Sequence, residues 1–133
     1  VVKRLTLDSS VIISSLLKNE PRHKEALKLW ESVLSGKNFA VLPYSVLVEV
    51  VAAIKRRTGS KEMALEMMKQ LLDIEAVSFV PLDDKSAICA AELAAQTGVR
   101  GMDALVIQVA REFEAELVTF DEEMLKKAKK VLP

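Results

Sequence analysis

Four carboxylates stand where the chain changes character: Asp8, Glu49, Asp103 and Asp121. Asp8 closes the apolar run Leu5-Thr6-Leu7 and opens the run Ser9-Ser10-Val11-Ile12. Glu49 lies inside Val46-Leu47-Val48-Glu49-Val50-Val51, a charge framed by apolar residues. Asp103 has Val106, Ile107 and Ala110 one and two helical turns ahead of it, which puts it on the buried face of a helix near its N-terminal end. Asp121 follows Leu117-Val118-Thr119-Phe120. Each has an ordinary explanation. Asp8 and Asp121 suit helix N-caps, and the Thr119 hydroxyl suits nearby backbone. Glu49 suits a narrow polar stripe with Ser45 and Arg56. Asp103 suits the positive end of a helix dipole, worth roughly 0.3–1 kcal/mol at exposed sites, although a solvated cap would point away from the apolar face. Together they describe a different object, an acid cluster with no His or Cys ligand. Carboxylates sharing a pocket repel and drive one another towards protonation. A hard divalent cation relieves that cost, and Mg²⁺ and Mn²⁺ accept all-oxygen, partly hydrated coordination. Such ions hold a phosphate oxygen, lower the pKa of an attacking water and stabilise a leaving oxygen. The matching reaction is phosphodiester hydrolysis.

The elements that must position these acids follow from pattern. Short apolar runs at Lys3–Asp8, Phe39–Leu42, Ala76–Val80 and Glu116–Phe120 read as strands, two of them closed by Pro43 and Pro81. Helices are predicted over Ser9–Leu17, Arg22–Ser35, Ser45–Arg57, Lys61–Leu72, Lys85–Gln96, Met102–Glu114 and Asp121–Lys130. In the first, Ser10, Ser14 and Lys18 form the polar stripe. In the second, Ala26, Leu27, Trp30, Val33 and Leu34 form the core face. Ser60 and Asp83-Asp84 are placed to cap helices, and Gly36, Gly59 and Gly98 to end them. Strands alternating with helices imply a mainly parallel sheet of four or five short strands covered on both faces, a three-layer α/β/α domain over 1–133. In open sheets of this kind ligands bind outside the carboxyl ends of the strands, where Asp8 and Asp121 both fall.

Bulk properties narrow the classes. The chain is 50% hydrophobic with 19 basic and 19 acidic residues, a formal net charge of +0. A nucleic-acid role must therefore rest on a local patch. The single Cys89 excludes an internal disulfide and a cysteine-built zinc site and suits a reducing cytosol. No apolar run is long enough to span a membrane, and no charged-then-apolar leader opens the sequence. Lys55-Arg56-Arg57 reads first as cations at the negative end of a helix, with Arg56 and Arg100 the candidates for RNA phosphates. Lys126, Lys127, Lys129 and Lys130 read as a solvated face. Met63, Met67 and Met68 read as packing within a helical pair, with a partner surface as the alternative. His23 is expected exposed at a helix start and Cys89 buried. Aromatics make up 5% of the chain, which leaves base stacking little to work with.

Four segments carry a family resemblance. Leu7-Asp8-Ser9-Ser10-Val11-Ile12, Val48-Glu49-Val50, Arg100-Gly101-Met102-Asp103-Ala104 and Thr119-Phe120-Asp121 are similar, in that order, to the motifs of PIN-domain nucleases. The likeness is nearest to the small VapC-like toxins of toxin–antitoxin pairs. The resemblance covers the whole length. It implies a Mg²⁺- or Mn²⁺-dependent endoribonuclease, a homodimer, and a cognate antitoxin that covers the cleft. It also implies that Asp8, Glu49 and Asp103 are metal ligands, with Asp121 a ligand or a support. Ser10 stands where the family often has Asn, and its hydroxyl has a shorter reach. Thr119 is the second supporting residue. Two other readings differ in class. Aspartyl-phosphate chemistry of the dehalogenase type would want Asp at Ser10, and of the receiver type paired acids at the first strand; neither is present. A PIN-like scaffold binding RNA or protein, with little or no nuclease activity, is the other.

Overall fold

The structure is a computed structural model that describes residues 1–133. Four strands, β1 (Arg4–Leu7), β2 (Phe39–Pro43), β3 (Val77–Val80) and β4 (Glu116–Val118), form one sheet in the order β3-β2-β1-β4. Every pairing is parallel. Seven helices connect and follow them: α1 (Ser9–Leu16), α2 (His23–Leu34), α3 (Tyr44–Thr58), α4 (Lys61–Asp73), α5 (Asp84–Thr97), α6 (Gly101–Glu112) and α7 (Glu122–Ala128). This is the α/β/α arrangement that the alternating pattern predicts, with four strands.

The layering follows from the handedness of parallel crossovers. Passing from β1 to β2 to β3 moves the chain one way across the sheet, so right-handed crossovers put α1–α4 on one face. The step from β3 to β4 runs back past β2 and β1, which puts α5 and α6 on the other. The contacts agree: α1 packs on α2 and α3, and α3 on α4, while α6 lies on β1, β2 and β4 with α5 beside it. The chain therefore reverses direction between β1 and β4. That is the switch point of an open α/β sheet, where diverging crossovers leave a crevice at the carboxyl ends of the strands.

The core lies between the sheet and its helices. Leu7, Ile12, Leu42, Leu71, Leu93 and Ile107 are fully buried. Even Thr6, in the middle of β1, is inaccessible, and its hydroxyl donates to the Val41 carbonyl at 2.8 Å. Ser60 and Asp83 cap α4 and α5 as expected, accepting from Met63 N (3.1 Å) and Ser86 N (2.8 Å). Gly59 and Gly98 end α3 and α5 with φ of 71° and 77°, a backbone that a Cβ resists.

Several surface assignments change. In α2 the buried stripe is Ala26, Trp30 and Val33, supported by Leu29; Leu34 is half exposed and Leu27 only partly covered. Ser14 is buried, not solvated, because α1 is covered on two sides. Its carbonyl bonds Nδ1 of His23 at 2.8 Å, so His23 is half-buried against α1. Cys89 is likewise half-buried, and Met63 is exposed while Met67 packs on the core. Pro43 ends β2 inside the strand, where its ring keeps the extended backbone that leads into α3. β4 stops two residues short of the predicted Phe120: the Thr119 hydroxyl bonds Asp8, and Phe120 lines the crevice. No helix is long and apolar enough to cross a membrane.

Candidate functional site

The crevice at the switch point is a cleft of about 740 Å³ lined by Asp8, Glu49, Asp103 and Asp121, with Ser9, Ser10, Arg100 and Phe120 among its walls. Four elements supply the acids. Asp8 follows β1, and its backbone N–H extends the ladder to Val118 of β4 at 2.9 Å. Glu49 projects from the second turn of α3, Asp103 from the first turn of α6, and Asp121 from the N-cap of α7. The residues singled out by spacing thus share one cavity, although 113 positions separate the first from the last (121 less 8).

The ordinary explanation fails for Asp8 and holds for Asp121. Asp8 occupies the N-cap position of α1 but makes no capping bond. Its Oδ2 instead accepts from two hydroxyls, Ser10 and Thr119, each at 3.0 Å. Thr119 in turn accepts from the Asp121 backbone N–H at 3.1 Å. Both donors bind the same carboxylate oxygen, which fixes the group and leaves Oδ1 free of protein donors. Asp121 spends Oδ1 on the Met124 N–H at 3.1 Å, a real cap of α7, and keeps Oδ2. Ser10 therefore reaches Asp8 despite its short side chain, and Thr119 joins β4 to β1 through a side chain.

Charge is poorly compensated here. Burial pushes the Glu49 carboxyl above its usual range; the nearby Ser9 hydroxyl opposes this, and the charges on Asp8 and Asp103 add to it. Burial also raises Asp103, with Asp8 and Asp121 acting in the same sense and Arg100 against them. Arg100 is held loosely, its Nε 3.8 Å from Asp103 Oδ2 and its side chain 86% exposed. A contact of that kind contributes little to stability and leaves the guanidinium available to an anion. No three of the acids close on one point as a finished ligand set. Carboxylate oxygens are nonetheless the donors that Mg²⁺ and Mn²⁺ take, with waters and substrate oxygens completing the shell. By donor chemistry the residues fit a hard divalent cation.

Of the basic residues, Lys55 caps its own helix through Gly59 O at 3.0 Å and Arg57 pairs with Glu20. Arg56 is exposed and makes no ion pair, but it does not line the cleft. Ser9, Phe120 and Arg22 escaped the reading by sequence. Arg22 stacks on Phe120, with Cζ 3.8 Å from the ring centroid. Nothing in the spacing of positions 22 and 120 announces that contact.

Comparison with known proteins agrees with this architecture. The family model described as PIN domain matches residues 5–130. No curated protein matches the sequence. Among solved structures, the chain is similar to VapC20 of Mycobacterium tuberculosis, described as a sarcin-ricin loop cleaving toxin. Identity is 18% over 93% of this chain and 94% of that one, with a TM-score of 0.77. A chain of the FitAcB structure from Neisseria gonorrhoeae gives 15% identity, 95% and 93% coverage and 0.70. A chain of Rickettsia felis VapBC2, bound to a DNA fragment from its promoter, gives 18%, 99% and 96%, and 0.68. At these identities the likeness concerns the fold.

Proposed function

The chain belongs to the PIN-domain family, and from that premise we propose that it is a Mg²⁺- or Mn²⁺-dependent endoribonuclease, the toxin of a toxin–antitoxin pair. The observation that carries the reading is the state of Asp8. It is a buried carboxylate pinned through one oxygen by Ser10 and Thr119, with the other oxygen unbonded in a cleft that also holds Glu49, Asp103 and Asp121. A helix cap or a solvated acid has no use for two hydroxyl props. Supports that fix a ligand's orientation are what metal-binding carboxylates require.

Asp8, Glu49 and Asp103 would hold the cation, with Asp121 contributing its uncapped oxygen. When bound, the ion supplies charge neutralisation and Lewis acidity towards a phosphodiester. The remaining work falls to the protein. Ser10 and Thr119 keep Asp8 from rotating. Burial and repulsion leave Glu49 and Asp103 with the least compensated charge, which draws a divalent cation to that side of the cleft. Arg100, tethered only loosely, can turn to a phosphate oxygen on the strand being cut. Arg56, exposed in the last turn of α3 and outside the cleft, is the further candidate for a phosphate contact.

The partner reading rests on kinship. One chain of VapBC2, one of FitAcB and one of a toxin–antitoxin complex from Klebsiella pneumoniae share this fold, and we propose a cognate antitoxin, and a homodimer, for this chain. The absence of a finished three-acid ligand set favours one competing reading, a PIN-like scaffold that binds RNA or protein without cutting. Calorimetric titration with Mn²⁺ decides between them. The wild type should bind and Asp8→Asn should not, and Asp103→Asn should remain folded but lose metal-dependent RNA cleavage. A wild type that takes up no Mn²⁺, with or without RNA, would leave only the scaffold.

A further inference from the structure

We propose that Phe120, backed by Arg22, is a stacking platform for an unpaired base of the strand being cut, so that the cleft selects a single-stranded nucleotide beside the scissile phosphate. The inference rests on the nuclease reading and adds to it a residue that positions the substrate.

Phe120 is the aromatic residue among the cleft walls that carry the four acids. Of the other aromatics, Trp30 is buried, Tyr44 stacks on Phe79 with centroids 5.4 Å apart, and Phe39 at the start of β2 and Phe113 at the end of α6 lie at the sheet edge opposite the cleft. The backbone is anchored on both sides of Phe120: Thr119 bonds Asp8 and the Asp121 N–H, and Asp121 caps α7. The ring itself packs against the core. One of its faces is covered by the Arg22 guanidinium, and that group is itself clamped by Glu25 through two bonds of 2.9 Å each. Glu25, Arg22 and Phe120 form a column built from the start of α2 to the wall of the cleft. Phe120 lines the cavity and Arg22 does not, which sets the guanidinium on the side of the ring away from the acids, while the rest of the ring packs on the core.

A cation on one face of a ring polarises its π-system, and a nucleobase stacks on an aromatic plane whatever its identity. Bases in a duplex are already stacked on their neighbours. Only a loop, bulge or free strand can offer one to the ring while its phosphate lies on the carboxylates. Composition counted aromatics and found few; the structure shows that one is placed where a base can use it.

The test uses a uridine octamer carrying 2-aminopurine, walked through successive positions, with Mn²⁺ and the Asp103→Asn protein to suppress cutting. Stacking quenches the probe. Quenching at one position is expected, Phe120→Leu should abolish it and weaken binding about 5- to 150-fold, and Phe120→Tyr should restore both. Leu keeps the apolar contact with the core, and a thermal melt checks its fold. An abasic nucleotide at the quenched position should reproduce the loss with Phe120 intact, which keeps the test independent of that variant's folding. An octamer that binds without quenching, or that binds Phe120→Leu within about twofold, overturns the platform alone. An octamer that the wild type neither binds nor cuts overturns the platform together with the nuclease reading.

Discussion

Replacing Thr119 by Val asks whether the two ends of the site are coupled through one hydroxyl. Val keeps the branched shape and the extended preference. It removes an O–H that donates to Asp8 Oδ2 at 3.0 Å and an oxygen that accepts from the Asp121 N–H at 3.1 Å. A hydrogen bond to a charged group contributes ~1.5–3 kcal/mol. Ser10 still holds the same oxygen and Asp121 is partly exposed to water, so the lower end applies, about 2 kcal/mol for the pair of bonds. With ~2.1 cal/mol/K of unfolding entropy per residue, 133 residues give about 280 cal/mol/K, and the loss lowers Tm by roughly 7 °C. Freeing Asp8 to rotate should also weaken Mn²⁺ binding about 10- to 100-fold. Circular-dichroism melts in chelator and calorimetric titration measure the two effects separately. Ser10→Ala should cost less stability, since it breaks only one bond, yet should weaken Mn²⁺ binding in the same way. If Thr119→Val melts with the wild type and binds Mn²⁺ equally well, Asp8 is not positioned by β4 and the reasoning fails.

Three further outcomes follow from the same geometry. Glu49 and Asp103 have raised pKa values in the folded protein, so above the ordinary carboxylate range the folded state holds protons that the unfolded chain has released. Stability without metal therefore falls as pH rises through that window. Asp103→Asn should melt above the wild type at pH 7, the gain kept modest by the group's partial exposure, and the difference should vanish below the ordinary pKa. Mn²⁺ at about 100 times its Kd should stabilise the wild type by ~2.7 kcal/mol, roughly 10 °C in a thermal scan, and should leave Asp8→Asn unmoved. Arg56→Ala should weaken binding of single-stranded RNA and flatten the plot of log K against log salt by about 0.7; an unchanged slope would place Arg56 off the RNA path.

What could be read from sequence divides along a physical line. Strands and helices were legible because their signals are local: the apolar runs of β1 and β2, the Ser60 and Asp83 caps, the αL glycines at 59 and 98. Asp8 was legible as a residue of the sheet's binding edge because it ends a strand, and Asp103 because its helix is apolar on that face. Burial at the margins was not. Ser14 looks solvated by type, but a serine can satisfy itself on helix backbone, as Ser15 does on the Ile12 carbonyl at 2.5 Å, and so pack inside. Leu34 has the spacing of a core residue but is half exposed at the last position of α2, a helix that packs chiefly on α1. The strand order, and with it the reversal between β1 and β4, is set by crossovers that no single segment encodes. For that reason the Arg22–Phe120 stack was out of reach.

The Thr119–Asp8 bond spans 111 residues, and this gives the site a history as well as a geometry. During synthesis Asp8 emerges well before β4, the last of the four strands in chain order. At about 5–20 residues per second, the partner hydroxyl follows some 6–22 s later. Through that interval β2 is free to pair with one edge of β1, but the other edge, where the cleft will form, lacks Thr119, Phe120 and Asp121. The acids collect into a centre only when the final strand docks. Competence is thus tied to the docking of β4: until that strand is in place, the fold leaves its carboxylate centre unassembled.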